Sequence, residues 1–327
     1  MLFSERNLFP RLPYLNHYKL MQNTPDIELT LTHGEWHLTA APYGASLRGL
    51  SHDGSPVMTA YTGADHKAGG QGDVLIPFPG RVAGGAYTFA GTAYQLDKND
   101  KEGPNAIHGF LRHMLWDIPS QSADAVTFST TLAADAHPGY PFALGVSVTY
   151  ALSESGLATS FEIENTGDRP APVAAGFHPY FTVGSALINT DTLQVPFRSY
   201  LEFDDALIPT GKVLPVDGTR YDFREPRLVA DTVLNICYLQ PLRDPDGLLR
   251  IRLSDSAVQT AVTVWMDAAF DYVVLYSGDP LPDDHRRKSL AIEPMTCGAD
   301  AFNHPEWGLT TLVPGETLVG RWGVEIG

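Results

Sequence analysis

Two side chains stand out by type and by setting. His178 lies within Ala174-Ala-Gly-Phe-His-Pro-Tyr-Phe181, and Glu293 closes the apolar run Leu290-Ala-Ile-Glu293. Histidine titrates near neutrality, so it can give or take a proton during turnover. Pro179 biases His178 toward an extended backbone. The aromatic neighbours offer apolar faces to a ring-shaped ligand and shield a titrating group. Glutamate is rarely buried without a partner or a task, and burial raises its pKa toward that of a useful general base. The two together supply one acid and one base, although His178 by itself fits a core histidine equally well.

Two further segments carry polar groups among glycines. Gly69 to Gly85 crowds glycine and proline around one cation, Arg81. Glycine lets backbone approach a ligand closely, and an arginine fork suits bidentate hydrogen bonding. Asn105-Ala-Ile-His-Gly-Phe110 adds His108. By composition alone these two also read as a turn-rich loop with a surface arginine and as a structural histidine. Other chemistries fail on spacing. There is no GxSxG elbow and no GxxxxGK[ST] phosphate loop. No HxH or HExxH pair suggests zinc. Cys297 has no adjacent basic partner, so an inert buried thiol is expected. Neither a metal nor any other cofactor is expected.

Positioning such groups falls to short alternating runs separated by Gly, Pro, Asn and Asp. Ile27 to Thr32, Val146 to Leu152 and Leu157 to Glu164 alternate with period two, and Ser153 to Gly156 reads as the turn of a hairpin between the last two. Val258 to Met266 and Tyr272 to Tyr276 are β-branched and aromatic strand candidates. No long 3.6-period segment with caps at both ends is present, which argues against βαβ repeats. The sequence therefore predicts an all-β, mainly antiparallel fold in one large domain over residues 1–327. The first 25 residues read as irregular. The formal net charge is −16, from 38 acidic and 22 basic residues, which repels nucleic acid and anionic lipid. Two cysteines make no disulfide framework. No secretory signal or membrane span is visible, so a cytoplasmic protein is expected.

These segments, in this order, resemble the aldose 1-epimerase (galactose mutarotase-like) family. GRVAGGAYTFAGTAYQLDKND is similar to the family's arginine-containing segment, and NAIHGF to its Asn-x-x-His-Gly turn. YPFALGVSVTYAL and GLATSFEIENTGDRPAPVAAGFHPYF resemble its central hairpin and catalytic histidine, and DGTRYDFREP, AIEPMTCGADAFN and LVPGE its later landmarks. The resemblance covers roughly residues 40 to 320. It implies a large twisted β-sandwich with an open sugar cleft, His178 as general acid and Glu293 as general base. It further implies that Arg81, Asn105 and His108 bind sugar hydroxyls. Asn235 stands where the family commonly has an aspartate, so a neutral amide replaces a charge there.

The implied reaction interconverts the α and β anomers of a free aldohexose. The base takes the O1 proton while the acid, expected on the opposite side of the ring, protonates the ring oxygen. The implied partner is a monosaccharide, with neither nucleic acid nor membrane, and the protein a monomer or homodimer. Alternatives are a hexose-6-phosphate mutarotase, with Arg112 and the run Arg286-Arg-Lys288 as phosphate candidates, and a non-catalytic carbohydrate-binding protein. The basic run beside Asp283-Asp284 reads more readily as a solvated hairpin tip.

Overall fold

The central hairpin forms because its two runs alternate in phase. Strands Leu144–Ser153 and Gly156–Asn165 pair antiparallel in unbroken register from Leu144↔Asn165 to Ser153↔Gly156. Val146, Val148, Tyr150 and Leu152 on one strand, and Leu157, Phe161 and Ile163 on the other, are buried. Glu162 and Glu164 point to water. Burying each such apolar side chain contributes roughly 1.5–3 kcal/mol. The computed structural model describes residues 27–327 other than 256, 258 and 259. The irregular segment expected over residues 1–25 lies outside them. The run expected from Val258 starts as a strand at Thr260 and ends at Met266, with 258 and 259 outside the described residues.

Among the described residues, strands of this kind build a nine-stranded and a twelve-stranded sheet, each antiparallel at the pairings named below. One hydrophobic cluster joins their inner faces, with Val148 and Phe161 of the first sheet and Leu38, Leu275 and Ile292 of the second among its members. Phe177 of the second sheet packs on Phe161 and Trp322 of the first, at 6.0 and 5.4 Å between ring centroids. This is the all-β sandwich that the patterning predicts. Among the described residues the helical segments are single 3₁₀ turns of three residues, such as Leu111–His113 and Pro305–Trp307. No helix among them is long and apolar enough to cross a membrane. Cys237 and Cys297 are free and buried.

The outer face of the twelve-stranded sheet carries the polar groups of interest, and register explains why. Strand Leu290–Met295 pairs with Tyr272–Tyr276, placing Glu293 opposite Val274 and Ala291 opposite Tyr276. Tyr276 in turn lies opposite Asn235, and Ala291 opposite Tyr180. Successive side chains alternate between faces. Tyr180, Glu293, Tyr276 and Asn235 therefore share one face, while Ile236, Val273, Leu275 and Ile292 enter the core. All six residues of Leu290–Met295 are buried. Being covered on both faces, the strand reads as a continuous apolar run and not as an alternating one.

The expectation of a solvated tip at Arg286-Arg-Lys288 needs a correction at its centre. Arg286 and Lys288 are exposed. Arg287, however, is only 8 % exposed and pairs with Asp279 at 3.0 Å. It also donates to Asn189 Oδ1 and to the Ala230 and Thr232 carbonyls. It is a structural clamp, because a buried guanidinium must satisfy its donors within the protein.

Candidate active site

An open cleft of about 710 Å³ lies over this face. His178 enters it from the turn between the short strands Gly176–Phe177 and Tyr180–Phe181. Two backbone bonds hold that turn: the His178 N–H donates to Asp73 O at 3.0 Å, and the Gly72 N–H to His178 O at 2.9 Å. The glycine-rich segment closes over the ring. A Cβ on Gly70 would stand 2.5 Å from His178 Cδ2, so only glycine fits there without displacement.

His178 Nε2 lies 3.4 Å from Glu293 Oε1, with the two residues 6 % and 2 % exposed. The structure thus brings the expected acid and base side by side. They are not on opposite sides of a ring-sized gap. Among the described residues, neither His178 Nδ1 nor Glu293 Oε2 has a hydrogen-bond partner. Burial, the largest influence on both, disfavours charge on each. It pushes Glu293 well above the usual carboxylate range, opposed only by Arg81. It pushes His178 down to about 3, helped by the positive charges of Arg112 and Lys67. Both groups are thus driven toward neutrality.

His108 occupies the left-handed region at φ 64, which costs a residue with a Cβ about 1–2 kcal/mol. Its backbone N–H donates to Gly80 O at 2.9 Å. The Gly80 N–H donates to His108 Nδ1 at 3.2 Å. With Nδ1 accepting, the hydrogen-bond pattern assigns the proton to Nε2, leaving a neutral donor on a ring that lines the cleft. Burial, then the neighbouring His178, Arg112, Arg81 and Lys67, hold its pKa well below the usual histidine value.

Arg81 also lines the cleft, clamped by Asp100 at 2.8 Å and Glu102 at 2.6 Å. Burial would raise the Asp100 pKa, but hydrogen bonds led by Arg81 hold it below the usual carboxylate range. Asn105 does not reach the cleft. Only 2 % exposed, it accepts from the Gly84 N–H at 3.1 Å and donates to Asp100 Oδ2 at 3.3 Å. It stands behind Arg81 as a brace, because its amide is used within the protein. Asn235, half-buried, lines the cleft from the first residue of strand Asn235–Pro241.

Sequence reasoning gave no role to Lys67, Asp73, Tyr180 or Tyr276 and offered Arg112 only as a phosphate candidate. Lys67 and Arg112 converge on buried Asp73, at 2.5 and 3.1 Å, and their charges act on His108 and His178. Tyr180 and Tyr276 line the wall beside Glu293. For Tyr180 a signal existed: it lies two residues after His178, which in a strand-like segment returns to the same face. Arg112 lies 39 residues from Asp73, so the cluster has no local signature. Among the described residues no group of three or more His, Cys, Asp or Glu side chains is arranged to hold a metal ion.

Comparison with known proteins follows the same line. A family model described as aldose 1-epimerase matches residues 28–323. The uncharacterised protein YihR of Escherichia coli strain K12 is 30% identical over 276 residues, covering 84% of this chain and 85% of its own length. Galactose mutarotase of Homo sapiens is 30% identical over 268 residues, 75% of each chain. Among solved structures, the GalM/aldose epimerase homologue from C. elegans superposes with a TM-score of 0.83 at 20% identity, covering 92% of this chain and 99% of that one.

Proposed function

Because the chain belongs to the aldose 1-epimerase family, whose mutarotases are isomerases of carbohydrates, we propose that it interconverts the α and β anomers of a free aldohexose. The observation that carries this reading is the buried contact between His178 and Glu293, with an atom on each that is unpartnered among the described residues, in a cleft wide enough for a sugar. Glu293 takes the proton of the O1 hydroxyl and His178 gives one to the ring oxygen O5. Both oxygens are bonded to C1, so an acid and a base lying side by side can address them together. The C1–O5 bond breaks and the aldehyde turns about C1–C2. Closure then occurs on the other face as the proton movements reverse. Each positioned proton transfer is worth roughly 10²–10⁴-fold.

The remaining groups orient the sugar. His108 Nε2–H and the Arg81 fork offer donors, Asn235 an amide, and Asn105 acts on Arg81 through Asp100. The hexose-6-phosphate alternative finds less support. Lys67 and Arg112 spend charge on the same carboxylate, and Arg287 is a clamp within the fold. The cytoplasm, as monomer or homodimer, is the setting we assign from the sequence. Polarimetry with a panel of free and phosphorylated aldoses tests the reading. Faster equilibration of a free aldohexose is expected, and turnover confined to sugar phosphates would replace it. Binding without turnover would make the protein a carbohydrate-binding module.

A further inference from the structure

Tyr180 has no assigned task, yet its hydroxyl is the kind of group that a packed protein does not leave idle. The residue is 2 % exposed, it lines the cleft, and its Oη has no hydrogen-bond partner among the described residues. A buried hydroxyl without a partner costs free energy. Its position is closely fixed. The ring lies parallel to that of His178, at 2° and 5.1 Å between centroids, and edge-on to Tyr276 at 6.4 Å. A Cβ on Gly69, itself at φ +57, would come 3.0 Å from Oη, so glycine is what leaves the hydroxyl its space. By register Tyr180 opposes Ala291, one same-face step from Glu293. Glu293 Oε2 is likewise unpartnered.

We propose that the Tyr180 hydroxyl donates a hydrogen bond to O1 of the sugar, the oxygen that Glu293 deprotonates, and so stabilises the negative charge that grows there as the ring opens. The inference rests on the mutarotase reading. The proton balance is simple: the O1 proton passes to Glu293, and Tyr180 keeps its own throughout. Burial, then the charge of Glu293, holds the phenol well above its usual pKa, so it remains a neutral donor at every working pH. A fixed donor aimed at developing charge in a shielded site is the form of catalysis in which loss of one hydrogen bond lowers kcat by about 10²–10³-fold.

The test is Tyr180→Phe, assayed by polarimetry beside the parent protein with the free aldohexose that the parent turns over fastest. Phenylalanine keeps the stack on His178 and removes one oxygen, which has no hydrogen-bond partner among the described residues. The expected result is a kcat about 10²-fold lower, KM within about threefold, and the same fractional loss at every pH. The urea midpoint should stay level or rise. A kcat within twofold of the parent would overturn the inference while leaving the mutarotase reading intact. A lower urea midpoint with unchanged kcat would make Tyr180 a packing residue only. A parent protein inert toward every free aldose would overturn both.

Discussion

Replacing His178 by asparagine removes a proposed catalytic group and a buried titrating group in one step, and the two losses have separate readouts. Burial holds the imidazole pKa at about 3 in the folded protein, against an ordinary value of 6.5. In the unfolded chain the ring takes up its proton below about pH 6.5, whereas the folded protein refuses it until about pH 3. Stability linked to His178 is therefore fully present above pH 6.5 and is lost as the pH falls toward 3. At about 1.4 kcal/mol per pH unit, the loss between pH 7 and pH 4 is on the order of 3 kcal/mol. Urea unfolding of parent and His178→Asn at both pH values isolates this quantity. Packing changes caused by the substitution, and the contribution of Glu293, enter at both pH values or in both proteins and largely cancel. The parent should lose about 3 kcal/mol more than the variant between pH 7 and pH 4. Equal pH dependence, within about 1 kcal/mol, would mean that His178 is not held neutral and that the burial argument fails. In the same variant kcat should fall at least ~10²-fold.

Glu293→Gln should cost at least ~10² in kcat, and the double variant with His178→Asn far less than the product of the two losses, since both serve one concerted step; wild-type rates in Glu293→Gln, measured by polarimetry, would reassign the base. Asn235→Asp should shift KM, or the ranking of sugars, by up to about tenfold, because a bond to a charged group is worth roughly 1.5–3 kcal/mol against 0.5–1.5 for a neutral one. A fall in melting temperature with unchanged sugar ranking would remove Asn235 from the binding site. Asp191, fully buried with neither carboxylate oxygen partnered among the described residues, has its pKa raised to about 6, by burial first and then by Asp255, while nearby Ser185 opposes the shift without a hydrogen bond of good geometry. Its contribution is present below about pH 3.8 and is lost as the pH rises through about 6. Asp191→Asn should therefore stabilise by about 1–2 kcal/mol at pH 7, allowing for the thin cover of protein over the group, and by little at pH 4, as followed by urea unfolding.

What the sequence discloses about this molecule is what local chemistry controls. Period-two runs over Val146–Leu152 and Leu157–Glu164 predict the hairpin observed as Leu144–Ser153 and Gly156–Asn165, because one buried face imposes alternation, and β-branched and aromatic content predicts the strand Tyr272–Tyr276. Glu293 stands out because a carboxylate in an apolar run needs a reason. The arrangement of the site is set by register between strands distant in sequence, which no local pattern encodes. His178 and Glu293 are 115 residues apart yet in contact. Asn105 shows the converse. Its motif marks it as polar and special, but only the fold shows that Gly84 and Asp100 have already taken its amide. Arg287 is misread for the same reason, since nothing near it in sequence announces Asp279, Asn189 and two carbonyls as its partners.

The burial of the acid–base pair bears on why such a cleft would open a sugar ring. On the proposed roles, ring opening starts from a carboxylate beside an imidazolium and ends with a carboxylic acid beside a neutral imidazole. Two charges are consumed within the pair while the sugar passes from a hemiacetal to a hydroxy-aldehyde, itself neutral. Burial disfavours the starting charges, as the opposed displacements of the Glu293 and His178 pKa values record. The same burial therefore favours the ring-open side over the ring-closed one. Because the resting pair is itself driven toward neutrality, the cost of charging it comes first, and contacts of the sugar to the charged forms must offset that cost before burial can favour ring opening. The cation cluster strengthens the bias on one side, because Arg112 and Lys67 disfavour a proton on His178. Arg81 acts against it on the other by favouring charge on Glu293. Asp73, paired with Lys67 and Arg112, limits how far their field reaches. A pair displaced too far toward neutrality would never reload its proton onto His178. The 3.4 Å contact between Nε2 and Oε1 gives that proton a direct return path once sugar fills the cleft and supplies hydrogen bonds to the charged forms.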